Sequence, residues 1–385
     1  MEKFITRQIS NNIHLQKTKF PIIALTGPRQ SGKTTLLKEL FPEYRYVSLE
    51  NPDIRAFATD DPIGFLNLYN QHVIFDEVQR VPQLFSYIQG IVDDSGQMGQ
   101  FILSGSQNFH LLNSITQTLA GRVALFKLLP FDFSELKNAG IQNNSYAQTA
   151  VKGFYPAIYT REIDPVVFYA NYIQTYIEKD VTELLNIRDL NLFRTFIGLC
   201  AARAGQLLNI SALANECDIS QPTAKAWLSI LESSYIIFQL QPYHQNFNKR
   251  LVKSPKLYFY DTGLLNYLLG IRTPEDFEQN RLKGNLFENM IIAEYQKKNN
   301  HQYLHQDYNF WQASNGREVD LLIKTHNGFD IFEIKATHTI SASLFKELDY
   351  FEELTPGLFI KKHLIYGGDE DQKRTKYEVI SWRNT

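Results

Sequence analysis

Three groups of residues in this 385-residue chain have types and spacings suited to chemistry. The first is Gly27-Pro28-Arg29-Gln30-Ser31-Gly32-Lys33-Thr34, with Thr35 directly after it. It fits GxxxxGK[ST], a loop whose backbone N–H groups and following helix N-terminus cradle phosphates. Gly27 to Thr35 are therefore the candidate ATP-binding residues, with Lys33 on the β/γ-phosphates and Thr34 as a ligand to Mg²⁺. The second group is Asp76-Glu77, delivered by the apolar run Val73-Ile74-Phe75. Asp76 would support Mg²⁺, directly or through water, and Glu77 would activate the attacking water. A second acid points to hydrolysis, because binding alone needs no base. Ser104 and Ser106, after Phe101-Ile102-Leu103, are candidates to sense the γ-phosphate or position water. Arg122 is the candidate arginine finger, a group worth roughly 10³–10⁵ in rate.

The third group lies near the C-terminus: Glu288, Asp320, Glu333 and Lys335. Asn327-Gly328 is a two-residue hairpin signal. A turn there sets Asp320 opposite Lys335 and Leu322 opposite Glu333, so that Asp320, Glu333 and Lys335 share one face. Val319, Leu321, Ile323, Phe332 and Ile334 then form the opposite, buried face. Asp320 and Glu333 are candidate ligands for a second Mg²⁺ or Mn²⁺, hard cations that take carboxylate oxygens. The metal would generate a nucleophilic water, and Lys335 would orient it or offset developing charge. Glu288, on an apolar helical stretch with Ile291, Ile292 and Tyr295, would be a further ligand or orienter. The alternative reading is an ion-paired surface, or a site that binds nucleic acid without cutting it. His301 and His305 lack the acid of an HExxH arrangement and read as a polar surface pair.

The elements that must hold these groups follow from hydrophobic patterning. Strands are expected at 20–27, 44–50, 72–78, 100–106 and 122–130, with helices at 33–41 and 83–94. Apolar strands alternating with helices make this part α/β, a parallel sheet covered on both faces, with ligands at the strand C-termini. Residues 165–240 read as helical, and short strands mixed with a helix follow from 300. The stretch 139–149 is the expected first linker, and Arg272–Pro274 a second boundary. The resulting expectation is three domains: 1–145, 146–275 and 276–385.

Residues 208–237 read as helix, turn, helix. Leu213, Ala214 and Cys217 face a second helix that starts near Gln221, capped by Ser220 with Pro222 in its first turn. Ala226, Trp227, Ile230 and Leu231 form its apolar side, and Gln221, Thr223, Lys225 and Ser229 its exposed side. The strands in 236–243 and 256–261 are the expected wing. Between them Lys249, Arg250, Lys253 and Lys256, with Tyr243 and Phe247, make a basic, aromatic stretch suited to a nucleic-acid backbone.

Four segments, GPRQSGKTTLL, VIFDEVQRVP, FILSGSQNF and LAGRVALFKLLPFDFSEL, together resemble the bacterial and archaeal AAA-type ATPases of a large, poorly characterised family. Members carry a C-terminal domain of unknown function. The resemblance continues through YIEKDV, GQLLNISALANE, SPKLYFYDTGLLNYL and GREVDLLI. It implies an AAA-like ATPase core, a winged-helix element and a restriction-endonuclease-like end. That end resembles the PD-(D/E)XK nucleases, with Glu288 as helix acid, Asp320 as strand acid and Glu333-Ile334-Lys335 as ExK; Val319 stands where those enzymes have proline.

Composition narrows the classes further. The chain is 44% hydrophobic with a net charge of −2, so it is globular and carries no global cationic field. Cys200 and Cys217 are too few for a disulfide framework or a cysteine metal site and suggest a reducing compartment. No apolar run approaches a membrane span and no signal-peptide core is present, so a cytoplasmic location without membrane contact is expected. The expected partners are ATP and DNA, with RNA open, and a homo-oligomer if Arg122 acts in trans. The leading expectation is an ATPase coupling nucleotide state to a nucleic-acid-binding, nuclease-like end. A nucleotide-dependent switch or scaffold with a non-catalytic end is the second, and a protein-remodelling ATPase the third.

Overall fold

A computed structural model describes residues 4–106, 118–142, 144–177, 189–243 and 251–385. The first third forms one parallel sheet of β1 (Ile22–Thr26), β2 (Arg45–Ser48), β3 (Val73–Asp76), β4 (Phe101–Gly105) and β5 (Val123–Lys127), in the order β2-β3-β4-β1-β5. Each strand coincides with an apolar run expected from the sequence. The continuous runs are explained by two covered faces. Ile22, Ala24, Phe75, Phe101 and Leu103 pack on one side with Phe65 and Leu66 of α4 (Pro62–Leu68) and Ile88 of α5 (Leu84–Ser95). Ile23, Leu25, Ile74 and Ile102 pack on the other with Ile13 of α1 (Ser10–Lys17) and Leu36 and Leu37 of α2 (Lys33–Leu40). α1 lies outside the sequence expectation, as do two further helices, α3 (Pro52–Asp60) and α4. The latter two are short, and what defines them is local: Asn51 and Asp61 cap their N-termini and proline occupies the first turn.

Helices α6 (Phe133–Asn138), α7 (Tyr146–Lys152), α8 (Pro156–Thr160), α9 (Pro165–Tyr172) and α10 (Leu190–Ala201) follow. After β6 (Gln206–Leu207) come α11 (Ile210–Glu216) and α12 (Gln221–Ser233), joined through Asp218 in the left-handed region at φ +53°. Ser220 caps α12 by accepting from Thr223 N, and Leu213, Ala214, Cys217, Trp227, Ile230 and Leu231 are buried as the helical spacing predicts. Ala226 is only partly buried; Ala224 takes the inner position.

The strands expected as a wing, β7 (Ile237–Pro242) and β8 (Lys256–Phe259), pair antiparallel. They do not stand apart. β7 also pairs parallel with β9 (Tyr308–Gln312), and so joins a nine-stranded sheet with β10 (Glu318–Lys324), β11 (Gly328–Lys335), β12 (Phe359–Tyr366), β13 (Gln372–Lys373) and β14 (Glu378–Ser381). Its order is β13-β14-β12-β11-β10-β9-β7-β8-β6. α13 (Thr262–Leu268), α14 (Pro274–Gln279) and α15 (Lys283–His301) lie over one face, and α16 (Lys346–Leu354) covers the other. One hydrophobic cluster runs from Leu129 through Trp227, Phe259 and Ile291 to Trp382, across residues 275 and 276 without a break. Cys200 and Cys217 are free and buried. Among the described residues, no helix is long and apolar enough to cross a membrane.

Candidate functional sites

The loop after β1 is shaped by residues in unusual backbone conformations. Gly27 has φ +150°, and a Cβ there would lie 2.1 Å from the Leu128 carbonyl oxygen. Gly32, with φ +91°, precedes α2, and Gln30 has φ +61°. Only glycine fits the close approach of β1 and β5 at position 27. The Lys33 ammonium donates to the carbonyls of Gly27 (2.9 Å) and Pro28 (2.8 Å). The Thr34 hydroxyl donates to Asp76 Oδ2 at 2.8 Å, bringing together two residues 42 positions apart.

Asp76 is buried and accepts four hydrogen bonds, from Thr34, Tyr46 (2.6 Å), Ser104 (2.5 Å) and the Glu77 amide (3.1 Å). Burial, and then the Asp76 carboxylate, push the Tyr46 phenol well above its ordinary range, so it remains a donor. Glu77 sits in the left-handed region at φ +55°, a sparsely populated conformation for a non-glycine residue. Its carboxylate accepts from Gln79 and from Ser106 at 3.2 Å. The two serines therefore differ. Ser104 is fully buried behind Asp76, whereas Ser106 shares a cavity of about 500 Å³ with Lys33, Thr34 and Glu77. That cavity is also lined by Arg29, Gln30, Ser31, Gly32 and Thr35 of the loop segment.

Arg122 is not near this cavity. It immediately precedes β5, level with the start of β1, and forms a bidentate ion pair with Asp93 at 2.5 and 2.8 Å. The loop is at the other end of the same strands, roughly 15 Å away at about 3.3 Å per residue. A role in its own chain's site is therefore corrected by the parallel topology. Besides Arg7 and Arg29, the cavity is lined by Arg161, at the end of α8, with Thr160 beside it and Tyr176 from a π-helical turn. Gln30 donates to the Tyr176 hydroxyl at 2.8 Å, so the loop is tied to the helical region. Nothing local in the sequence marks Arg161, because only the chain's return over the sheet brings it there.

A buried network supports the loop from behind. Arg7 donates to Ser31 O (2.9 Å), Leu129 O (2.6 Å) and Glu135 Oε1 (2.9 Å). Glu135 and Asp132 form a capping box at the start of α6, and Asp132 Oδ2 is 2.8 Å from His301 Nδ1 at the end of α15. The Leu129 amide donates to His301 Nε2, which leaves Nδ1 as the ring atom facing Asp132. Asp132, Glu135 and His301 are a group of three whose ligand atoms lie within 4.8 Å of one another. Each carboxylate already accepts protein hydrogen bonds and Arg7 supplies the cation, so the trio reads as structural. The expectation of His301 as a surface residue is corrected: it is fully buried, while His305 is exposed.

The C-terminal group is assembled by a different register from the expected one. The turn centres on His326-Asn327, since the Thr325 amide donates to Gly328 O at 3.0 Å. β10 pairs β11 as Leu321↔Phe332 and Leu322↔Ile331. Gly328 is needed for another reason: a Cβ there would lie 1.8 Å from Phe359 O on β12. The move from the expected pairing changes partners by two residues and so keeps the faces. A bulge between Val319 and Leu322, opposite β9, then alters them locally. Leu321, Ile323, Phe332 and Ile334 share one cluster, but Val319 packs in the other with Leu322 and Ile331. Both faces are buried.

At the bulge, Asp320 Oδ2 accepts from the Ile334 amide at 2.8 Å and from Lys335 at 3.1 Å. Lys335 also pairs with Glu333 at 2.6 Å. Three further residues, Lys256, Glu318 and Tyr258, complete the group. Lys256, expected in the exposed basic stretch, is buried between Glu288 and Glu318, 3.0 Å from each. Tyr258 donates to the same Glu288 oxygen at 2.5 Å. Four acids thus face two lysines. Burial, followed by the Asp320 charge, pushes the Glu333 carboxyl up to about 8. Burial raises Glu318 to about 7 and raises Glu288. Asp320 is held low: burial opposes this, but Lys335, Lys256 and the Ile334 amide outweigh it. Of the basic stretch, Phe247, Lys249 and Arg250 lie outside the described residues. Lys253 is exposed, and Tyr243 turns inward against Phe329 at 5.2 Å.

Comparison with known proteins gives three family-model matches. Residues 19–137 match the family model described as AAA domain, 143–275 a domain of unknown function (DUF8612), and 283–384 another (DUF4143). Uncharacterised proteins of Mycobacterium tuberculosis and Mycobacterium bovis are each 32% identical over 329 residues, covering 84% of this chain and 72% of theirs. Among solved structures, a Walker-type ATPase of Pyrococcus abyssi aligns over 69% of this chain and 96% of its own, at 14% identity and a TM-score of 0.45.

Proposed function

This chain belongs to the family of those uncharacterised mycobacterial proteins and carries an AAA-type ATPase domain, and from that premise we propose that it hydrolyses ATP at the loop of residues 27–35. The observation that carries the reading is the Thr34–Asp76 contact at 2.8 Å, with Thr34 and Glu77 lining one cavity. Thr34 and Asp76 offer the hard oxygens that fit Mg²⁺, which would neutralise phosphate charge there. Lys33 exchanges the carbonyls of Gly27 and Pro28 for phosphate oxygens. Glu77, steadied by Ser106 and Gln79, takes the proton of the attacking water. Arg161 supplies positive charge from the helical region in place of Arg122.

The reading is tested by phosphate release from full-length protein. Lys33→Ala should abolish turnover, and Glu77→Gln should abolish it while retaining ATP binding. Turnover that survives both variants overturns the assignment.

For the C-terminal group, we infer a nuclease-like, nucleic-acid-binding module, with α11, α12, β7 and β8 as a winged-helix element beside it. Asp320, Glu333 and Lys335, convergent at a β-bulge, support that reading. The Lys256 ammonium between Glu288 and Glu318 favours a second, in which the module binds without cutting and nucleotide state sets assembly. Mn²⁺-dependent cleavage of DNA that is lost in Asp320→Ala supports the first. Nucleotide-dependent DNA binding without cleavage supports the second.

A further inference from the structure

A second cavity, of about 250 Å³, opens where the ATPase sheet meets the rest of the chain. Thr26 and Lys127, aligned neighbours at the ends of β1 and β5, form its floor. Tyr235, from the turn before β7, forms one wall, and the segment Asn299–His305, the last residues of α15 and those that follow, forms the other.

Lys127 is largely withdrawn from solvent, and burial alone lowers its tendency to hold a proton, with no carboxylate offsetting it. Its described partner is the face of Tyr235, 5.3 Å away, a ring held by a 2.7 Å hydrogen bond from its hydroxyl to Thr26. Across the cavity, Tyr303 and His305 both adopt left-handed backbone, at φ +58° and +53°, and Tyr235 does so at +58°. Three non-glycine residues in this sparsely populated region around one cavity are held there by their surroundings. Phe126 meets the Tyr303 ring at a tilt, 4.8 Å between centroids, and the Asn299 amide braces the loop through Gln306. Among the described residues, the Lys127 ammonium, the Tyr303 hydroxyl and the His305 ring make no protein hydrogen bond. A lysine without a carboxylate partner, facing a tyrosine hydroxyl and an imidazole, with no acid in the lining, has the chemistry of an anion site.

We propose that this cavity binds a small phosphate-class anion, either orthophosphate or the phosphate of a small monoester, between Lys127, Tyr303 and His305. The site is separate from the nucleotide loop. It shares Thr26, the residue before Gly27, so an occupant would tie the end of β1 to the Tyr235 turn and the Asn299–His305 segment.

The test uses full-length Lys33→Ala protein, so that phosphate held by the nucleotide loop does not enter the reading. Titration calorimetry with orthophosphate, and separately with phenyl phosphate, should give saturable binding to at least one; which one identifies the source. Adding Lys127→Met should weaken that binding at least tenfold, and adding His305→Ala should weaken it measurably. In phosphate-free buffer the Lys127→Met protein should melt at or above the temperature of its parent, since an uncompensated charge has been removed, which keeps the result interpretable. No binding to Lys33→Ala protein, or equal binding with and without Lys127, overturns the proposal.

Discussion

Replacing Arg7 with methionine tests whether the nucleotide loop is held from behind. Arg7 is 4% exposed, and its guanidinium satisfies three oxygens at once. Arg7→Met leaves the Glu135 carboxylate buried without its cation and removes a donor from Ser31 O and Leu129 O. Breaking a buried ion pair by deleting one partner costs about 3–5 kcal/mol. The orphaned carbonyls belong to the same loss and are not added to it. Methionine fills much of the space beside Phe131, which the guanidinium now faces at 4.7 Å, so packing loss is the smaller effect. Glu135→Gln in the same chain removes the stranded charge and keeps the acceptor for the Gln8 amide, and should recover roughly 1–3 kcal/mol of the loss. Urea denaturation followed by circular dichroism reads both variants. ATP affinity, measured beside it, should fall about tenfold in Arg7→Met, because Ser31 O is no longer fixed; that corresponds to roughly 1.4 kcal/mol. A variant within about 0.5 kcal/mol of the parent, the range of ordinary surface substitutions, would refute the reasoning.

The other predictions concern pH, backbone space and charge at the loop. Glu333 has its carboxyl raised to about 8 from 4.5, so between these values the folded chain holds a proton that the unfolded chain has lost. That contribution is fully present below about pH 4.5 and is lost as pH rises towards 8. Glu294, raised to about 8 by burial and then by Asp132, works in the same window. Glu333→Gln should therefore gain stability relative to the parent as pH goes from 5 to 8, by roughly 1–3 kcal/mol, in urea titrations at each pH. Gly328→Ala puts a methyl group 1.8 Å from Phe359 O and should cost roughly 1–3 kcal/mol, with faster amide exchange along β11 and β12. Arg161→Ala should lower the rate of ATP turnover at least tenfold, whereas Arg122→Ala, which breaks an exposed pair with Asp93 and a hydrogen bond to Ala120 O, should leave turnover within twofold in the same assay.

The sequence by itself determined what depends on neighbours along the chain. A loop that leaves one strand and enters one helix is a local object, so Gly27, Gly32, Lys33 and Thr34 were legible. So were the five apolar strands, because a sheet covered on both faces demands unbroken apolar runs. The α12 cap at Ser220 is likewise decided within four residues. At the C-terminus, strand alternation fixed which residues share a face, and a turn misplaced by one residue kept that parity. Tertiary structure decided the rest. The reason for Gly328 is the carbonyl of Phe359, on a strand the local pattern does not see. The bulge that turns Val319 away from Leu321 depends on pairing with β9. Lys256 reads as solvated beside Lys253, yet it is drawn between two carboxylates by the pairing of β7 with β9. Strand direction put Arg122 at the wrong end of the sheet, and the return of the helical region brought Arg161 to the loop. Local residue types specify the chemistry a side chain offers; which charges meet is set by strand order and by long-range packing.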